Sequence, residues 1–365
     1  MSYEDIVVSS RIRLARNARG LPFPKPDAYS CGVADNKFFT WKDGFGRGYG
    51  GGKTLRGLRR DFCVTREEAL APMRAATSAA DGFMKYGLYE MKNLNKLEKE
   101  SLIERHLISP SLAENSYTGV VLLEYGEELT VMVNEEDHIR AQCIIRGLNL
   151  AQAYARVSEF DRRLERCMPI AFDQTLGYLT ACPSNLGTGM RASVMLFLPA
   201  LTENGKIGLL FKKLNSIDFT VRGVYGEGSG TAGALYQISN RRTLGLTEKE
   251  ILAQVTYGAE DLCKIEHQER LRLNGASGEK TRRRICGSLD ILLHRDRLSS
   301  VDFMNLIADV KLGVCLRILP FIPLRVLDEL IIHAQPANLC QFAGRELPPD
   351  ERDFARAEVC RMCLA

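Results

Sequence analysis

At Thr247 the periodicity of the chain changes. Upstream, short apolar runs of strand length are interspersed with helical patterns. Downstream, from the N-cap Thr247 with Glu248 and Glu250 in the first turn, the pattern is helical almost to residue 365. The upstream part contains a hairpin signal, Val120–Leu123 and Leu129–Val133 around Glu124-Tyr-Gly-Glu-Glu. Strands are also expected at Ile6–Leu14, Gly177–Thr180, Arg191–Leu198, Thr220–Val224 and Ala234–Ser239. Helices are expected over Thr65–Arg105, with Thr65-x-x-Glu68 as a capping box, and over Leu148–Cys167. Asn274-Gly-Ala-Ser-Gly-Glu reads as a linker between helices. The expected class is therefore α+β followed by an all-helical region.

Composition narrows the function. A net charge of +4 over 365 residues is small. The basic clusters Arg56–Arg60 and Arg282–Arg284 sit among acidic residues, as solvated helix faces do, so direct nucleic-acid binding is not expected. The start MSYEDIVVSS lacks the basic and apolar regions of a secretory signal, and Ala192–Leu201 is too short to span a bilayer, so the expectation is a cytoplasmic protein with no membrane partner. Eleven cysteines without a repeating spacing read as reduced thiols. Cys360 and Cys363 with His333 and Cys340 could in principle ligate zinc, but the spacing is poor and a second CxxC is missing, so no metal site is expected.

Four stretches carry chemistry. In SSRIR, Ser9, Arg11 and Arg13 project to one face of a strand, which makes either an anion site or a solvated, salt-bridged sheet face. NEEDHIR, Asn134–Arg140, follows a strand. An acidic turn entering a helix would explain its carboxylates but not Arg140. Cys182 lies in a Pro- and Gly-containing loop before Arg191, where a thiol is either reachable by ligand or simply buried. VRGVYGEG ends a strand with Arg222 and carries Glu227 on a glycine turn. A fifth stretch, Gly46–Thr54 (GRGYGGGKT), imitates a phosphate loop but has Arg47 where the pattern needs its first glycine.

In order and spacing, SSRIRLARN, RHLISP, VMVNEEDHIRAQC, LGYLTACPSNLGTGMRASVMLFLPAL, RGVYGEG, QISN and ERDFARAE resemble the phosphagen kinase superfamily, most closely its bacterial protein arginine kinases. The resemblance implies a catalytic domain over 4–270, an antiparallel sheet flanked by helices with an insertion at about 25–63. A helical domain over 271–365 would follow, for homodimerisation. It implies ATP with Mg2+, the phosphates held by Ser9, Arg11, Arg13, His106, Arg140, Arg191 and Arg222. Glu136 and Glu227 would hold the acceptor guanidinium, with Cys182 against it. Arg352, Asp353, Arg356 and Ala357 match a motif that binds phosphoarginine allosterically.

The implied activity is phosphorylation of arginine side chains on proteins, marking them for a Clp-type protease in a stress response, with an activator protein as a further partner. Only eight residues precede Ser9, so the N-terminal domain of the small-molecule kinases is expected to be absent. A kinase for free arginine and a phosphoarginine-binding adaptor are the alternatives. After Glu227, Gly230 or Thr231 stands where the family usually has another Glu.

Overall fold

The computed structural model describes residues 3–21, 24, 66–224, 232–276 and 278–364. The phosphate-loop-like stretch, the 25–63 insertion, Thr65, Glu227, Gly230 and Thr231 lie outside them.

The centre of the fold is an eight-stranded antiparallel sheet of β1 (Val7–Arg16), β2 (Tyr86–Glu90), β3 (Val120–Glu124), β4 (Leu129–Val133), β5 (Ile139–Arg146), β8 (Met190–Phe197), β9 (Phe219–Gly223) and β10 (Leu235–Asn240), in the order β2-β3-β4-β5-β1-β8-β10-β9. Two short strands, β6 (Phe172–Asp173) and β7 (Gly177–Tyr178), pair separately. The first strand in sequence is thus central, between β5 and β8, with Arg13 opposite Gln142 on one side and Arg191 on the other.

Strand alternation divides the sheet into two faces. Ile12, Leu14, Ala141, Cys143, Ala192, Val194 and Ile238 point to the main core. Helices α1 (Arg66–Ala80) and α4 (Leu150–Cys167) cover that face, the latter through Leu150, Ala153, Val157, Phe160 and Leu164. Under the β2–β4 end of the other face, α2 (Lys96–Glu104) and α3 (Pro110–Glu114) close a small second core of Met91, Ile108, Leu112, Val121 and Met132. The rest of that face is mostly polar, with Ile144 and Met195 opposite Arg11 and Ser9.

Helix α5 (Pro199–Glu203) and α6 (Ile207–Ser216) follow β8. Then come α7 (Glu248–Ala276), α8 (Gly278–His294), α9 (Ser300–Cys315), α10 (Leu324–His333), α11 (Pro336–Ala343) and α12 (Pro349–Leu364). The cap at Thr247 is present: Glu250 accepts from the Thr247 amide at 2.7 Å and from its hydroxyl at 2.9 Å. Ile285, Leu292, Phe303, Ile307 and Leu327 join the sheet residues in one hydrophobic core.

Two local expectations are overturned. The stretch expected to be helical from Thr65 to Arg105 is broken by β2. Gly82 ends α1 at φ +70°, and Tyr86-Gly-Leu-Tyr-Glu then pairs with β3, whose edge would otherwise be open. The linker expected at Asn274–Glu279 is mostly helical, because α7 continues to Ala276 and α8 starts at Gly278.

Candidate active site

The polar face collects side chains that sequence scatters. β1 contributes Ser9, Arg11 and Arg13, β5 contributes Arg140 and Gln142, β8 contributes Arg191 and Ser193, β10 contributes Gln237 and Ser239, and β9 contributes Arg222. Five guanidinium groups therefore share one surface, supplied by four strands.

The uncharged residues between them hold that surface in register. Ser239 Oγ accepts from Arg191 Nε at 3.3 Å and Nη2 at 3.0 Å, and Gln237 Nε2 donates to Ser193 Oγ at 2.8 Å. Burial, then the guanidinium groups of Arg140, Arg191 and Arg11, press Arg13 well below its ordinary value, with Glu135 acting the other way. Arg191 is lowered likewise, by burial and by Arg222 and Arg140. Guanidinium groups do not deprotonate in proteins, so the strain stays as repulsion, which a bound polyanion would relieve.

His106 approaches the same face from the segment after α2. Gln142 Nε2 donates to its carbonyl at 2.8 Å, and its φ is +61°, in the left-handed region. Burial and the nearby Arg11 lower the imidazole to about 4, so it is neutral at pH 7 when no anion is present.

The acidic loop 134–138 is not the entry to a helix; it joins β4 to β5. Here Arg140 finds its reason. Glu135 is buried and accepts from Arg140 Nη1 at 2.6 Å and from Ser109 Oγ at 2.5 Å, and its other oxygen accepts from the Glu136 amide at 3.1 Å. Burial pushes the Glu135 carboxyl up, but Arg140, Ser109 and that amide outweigh it and hold it below the usual carboxylate range.

Asp137 is buried too, and burial raises it to about 6 against the opposing hydrogen bonds. Its Oδ1 accepts from Asn17 Nδ2 at 2.6 Å and from the Ala181 amide at 2.7 Å. With both flanking acids so engaged, Glu136 is the half-buried carboxylate of the loop, and no hydrogen bond from a described residue reaches its oxygens.

The Ala181 contact also sets Cys182, the next residue. Thr180 Oγ1 donates to the Cys182 carbonyl at 2.9 Å, and Thr243 Oγ1 donates to the carbonyls of Ser184 and Leu186 at 3.0 and 2.6 Å. Gly189, at φ +62°, then turns the chain into β8, where an added Cβ would stand 2.6 Å from the Ala15 carbonyl. Cys182 is half-buried, with Sγ 3.0 Å from Ser184 Oγ, and lies close enough to Arg191 to act on it electrostatically.

Sequence reasoning missed Glu135, Asp137, Asn17 and Gln142. The first two sit beside Glu136 in the motif, and Gln142 shares the alternating face of β5 with Arg140, the one signal that was available.

The helical-region motif is divided. Arg352 lines a cavity of about 420 Å³ between α2 and α11–α12, together with Lys96, Glu100 and Glu104. Arg356 is 1% exposed, and its Nε and Nη1 donate to the Ala334 and Leu298 carbonyls, with Asp353 Oδ1 at 2.7 Å from Nη1. Ala357 is buried. The two arginines do not present one free face, because Arg356 turns inward to tie α12 to the end of α10. Among the described residues, no group of three or more His, Cys, Asp or Glu is placed to hold a metal, and no helix is long and apolar enough to cross a membrane.

A fixed guanidinium surface beside a carboxylate loop can hold a polyphosphate next to a cationic acceptor, which is the arrangement a phosphoryl-transfer enzyme for nitrogen acceptors needs. Comparison with known proteins agrees. Residues 70–269 match the ATP:guanido phosphotransferase, C-terminal catalytic domain, and residues 279–365 the protein-arginine kinase McsB C-terminal domain.

The protein-arginine kinase of Caldanaerobacter subterraneus subsp. tengcongensis is 38% identical over 97% of this chain and 96% of its own. That of Symbiobacterium thermophilum is 39% identical over 100% and 94%. Among solved structures, lombricine kinase superposes with a TM-score of 0.54 at 24% identity, covering 72% of this chain and 67% of that one. The duplicated taurocyamine kinase of Schistosoma mansoni, with transition-state analogue components bound, gives 0.58 at 22%, covering 80% and 39%. The chain belongs to the ATP:guanido phosphotransferase family and, within it, to the protein-arginine kinases.

Proposed function

We propose that the protein transfers the γ-phosphoryl group of ATP to arginine side chains of other proteins. The supporting observation is the guanidinium surface assembled from four strands, in a chain similar over nearly its whole length to protein-arginine kinases. Ser9, Arg11, Arg13, His106, Arg140, Arg191 and Arg222 would hold the phosphates. Fixed donors of this kind stabilise the charge of the transferring group without reorganising. Mg2+ would enter as part of the nucleotide substrate, on its phosphate oxygens.

The acceptor needs help, because a guanidinium is a poor nucleophile while fully protonated. Glu136 would accept its N–H groups, orient one nitrogen toward the γ-phosphorus and take up its proton as the N–P bond forms and the bond to the leaving oxygen breaks. Glu227, from the segment outside the described residues, is assigned the opposite side, and Cys182 the edge of the same group.

The remaining assignments rest on the family resemblance. They are a catalytic domain over 4–270, a helical domain over 271–365 that forms a homodimer and binds phosphoarginine at the motif Arg352, Asp353, Arg356 and Ala357, of which Arg356 and Ala357 are buried, and a cytoplasmic role in stress-linked proteolysis by a Clp-type protease with an activator protein.

The test is incubation with Mg-ATP and either an unfolded, arginine-rich protein or free arginine, followed by mass spectrometry for acid-labile phosphate. Label on the protein, lost in Glu136→Gln, is expected. Label on free arginine alone overturns the choice of substrate, and no label at all overturns the activity.

A further inference from the structure

We propose that Arg146 is a further nucleotide-binding residue, a sixth guanidinium on the polar face that takes oxygens of the phosphates remaining in ADP; this rests on the assignment of that face to the phosphates of ATP. Nothing in its local sequence, Ile-Ile-Arg-Gly, sets it apart. Register does. Arg146 is the last residue of β5 and stands directly opposite Ser9, as Gln142 stands opposite Arg13. Residues paired in this way share a face, with Cα atoms about 4.5–5.5 Å apart. The alternation of Arg140, Gln142, Ile144 and Arg146 along β5 places them on that same face.

The backbone around Arg146 is pinned to β1 and to the start of α4. The Gly147 amide donates to the Val8 carbonyl at 3.2 Å, Ser10 Oγ donates to the Gly147 carbonyl at 2.7 Å, and Asn149 Nδ2 donates to the Arg146 carbonyl at 2.6 Å. The side chain is held at one corner. Its Nη2 donates to Asp328 Oδ2 at 3.1 Å, while Nε and Nη1 make no hydrogen bond to a described residue, and the side chain is 51% exposed.

Asp328 does not neutralise Arg146 outright. Its other oxygen receives Lys311, which is 2% exposed, so one carboxylate serves two cations, and the exposed cation of the three charges is Arg146. A guanidinium directed in this way, with donors to spare, binds an anion at little further loss of freedom. Glu136 precedes the first residue of β5 and Arg146 is the last, so the γ-phosphoryl group, which must lie by the acceptor, is remote from it. The contact therefore acts on nucleotide binding and not on the transfer step.

The experiment is calorimetric titration of Mg-ADP into the full-length protein and into Arg146→Gln, Arg146→Lys and Arg191→Ala, with KM for ATP and kcat measured on an arginine-rich protein substrate. Asp328 keeps Lys311 as a partner in every variant, so no buried charge is stranded. Arg162→Gln, which removes the same charge from the surface of α4, is the control. Arg146→Gln is expected to weaken ADP binding about 5- to 10-fold and to raise KM for ATP by the same factor, with kcat changed less than about twofold. Arg146→Lys should recover most of that affinity, and Arg162→Gln should change none of the constants.

Unchanged ADP affinity in Arg146→Gln beside a loss in Arg191→Ala overturns the role of Arg146 and leaves the assignment of the polar face standing. Unchanged affinity in both overturns that assignment and this inference with it. A loss in Arg162→Gln as large as that in Arg146→Gln also overturns the role, because the effect would then be one of net charge.

Discussion

Like charges are gathered on the polar face at a cost that a polyphosphate would remove. Arg191 has its Nε and Nη2 fixed by Ser239, so its direction is set before any ligand arrives. Arg191→Ala should weaken ATP binding on the order of 10- to 100-fold by calorimetry, the loss expected for one charge-assisted contact, and should lower the rate with it. His106 makes a prediction in pH. Its folded value of about 4 lies below the ordinary value, so between pH 6.5 and 4 the unfolded chain binds the extra proton. Stability is therefore full above about pH 6.5 and falls as the pH drops toward 4. Urea unfolding of the ATP-free protein across that window should show this slope in the wild type and a shallower one in His106→Gln.

Among the elements, the 134–138 loop and the Cys182 loop act as one unit through Asp137. Asp137→Ala leaves the Ala181 amide without its acceptor and should cost about 1–3 kcal/mol. The Cys182 loop should loosen, so that its thiol is alkylated faster than in the wild type while overall secondary structure is kept; unchanged alkylation would mean that Thr180 and Thr243 suffice to hold the loop. The strand at Tyr86–Glu90 is hidden in the sequence because its pattern carries no alternation, and its partner strand begins only at Val120. The heptapeptide 134–140 was read only in part. A carboxylate cluster was plain, but that Glu135 neutralises Arg140, leaving Glu136 for another partner, depends on the turn between β4 and β5.

At the scale of the whole molecule, the sheet and the C-terminal helices share a core and a buried ionic bridge. Asp328 of α10 receives Lys311 of α9, which is 2% exposed, and Arg146 of β5 at 3.1 Å. Asp328→Ala strands the Lys311 charge and should cost about 3–5 kcal/mol, measured by chemical denaturation. Because the core is continuous, calorimetry should show one unfolding transition for catalytic and helical regions together. Two well-separated transitions would contradict that coupling.

By itself the sequence determined the class of fold, the strands that carry SSRIR, Arg191 and Arg222, the helical run after Thr247, and the family, because these depend on local periodicity and on motifs that are contiguous in the chain. Only the tertiary structure decided which charges are neutralised and which remain available. Arg352 and Arg356 are equivalent on paper, yet one lines a cavity and the other is spent on the carbonyls of Ala334 and Leu298. Glu135 and Glu136 are adjacent and identical, yet among the described residues one is paired with Arg140 and the other receives no hydrogen bond at its carboxylate. Burial and hydrogen-bond partnership are set by residues far away in sequence, and no local pattern records them.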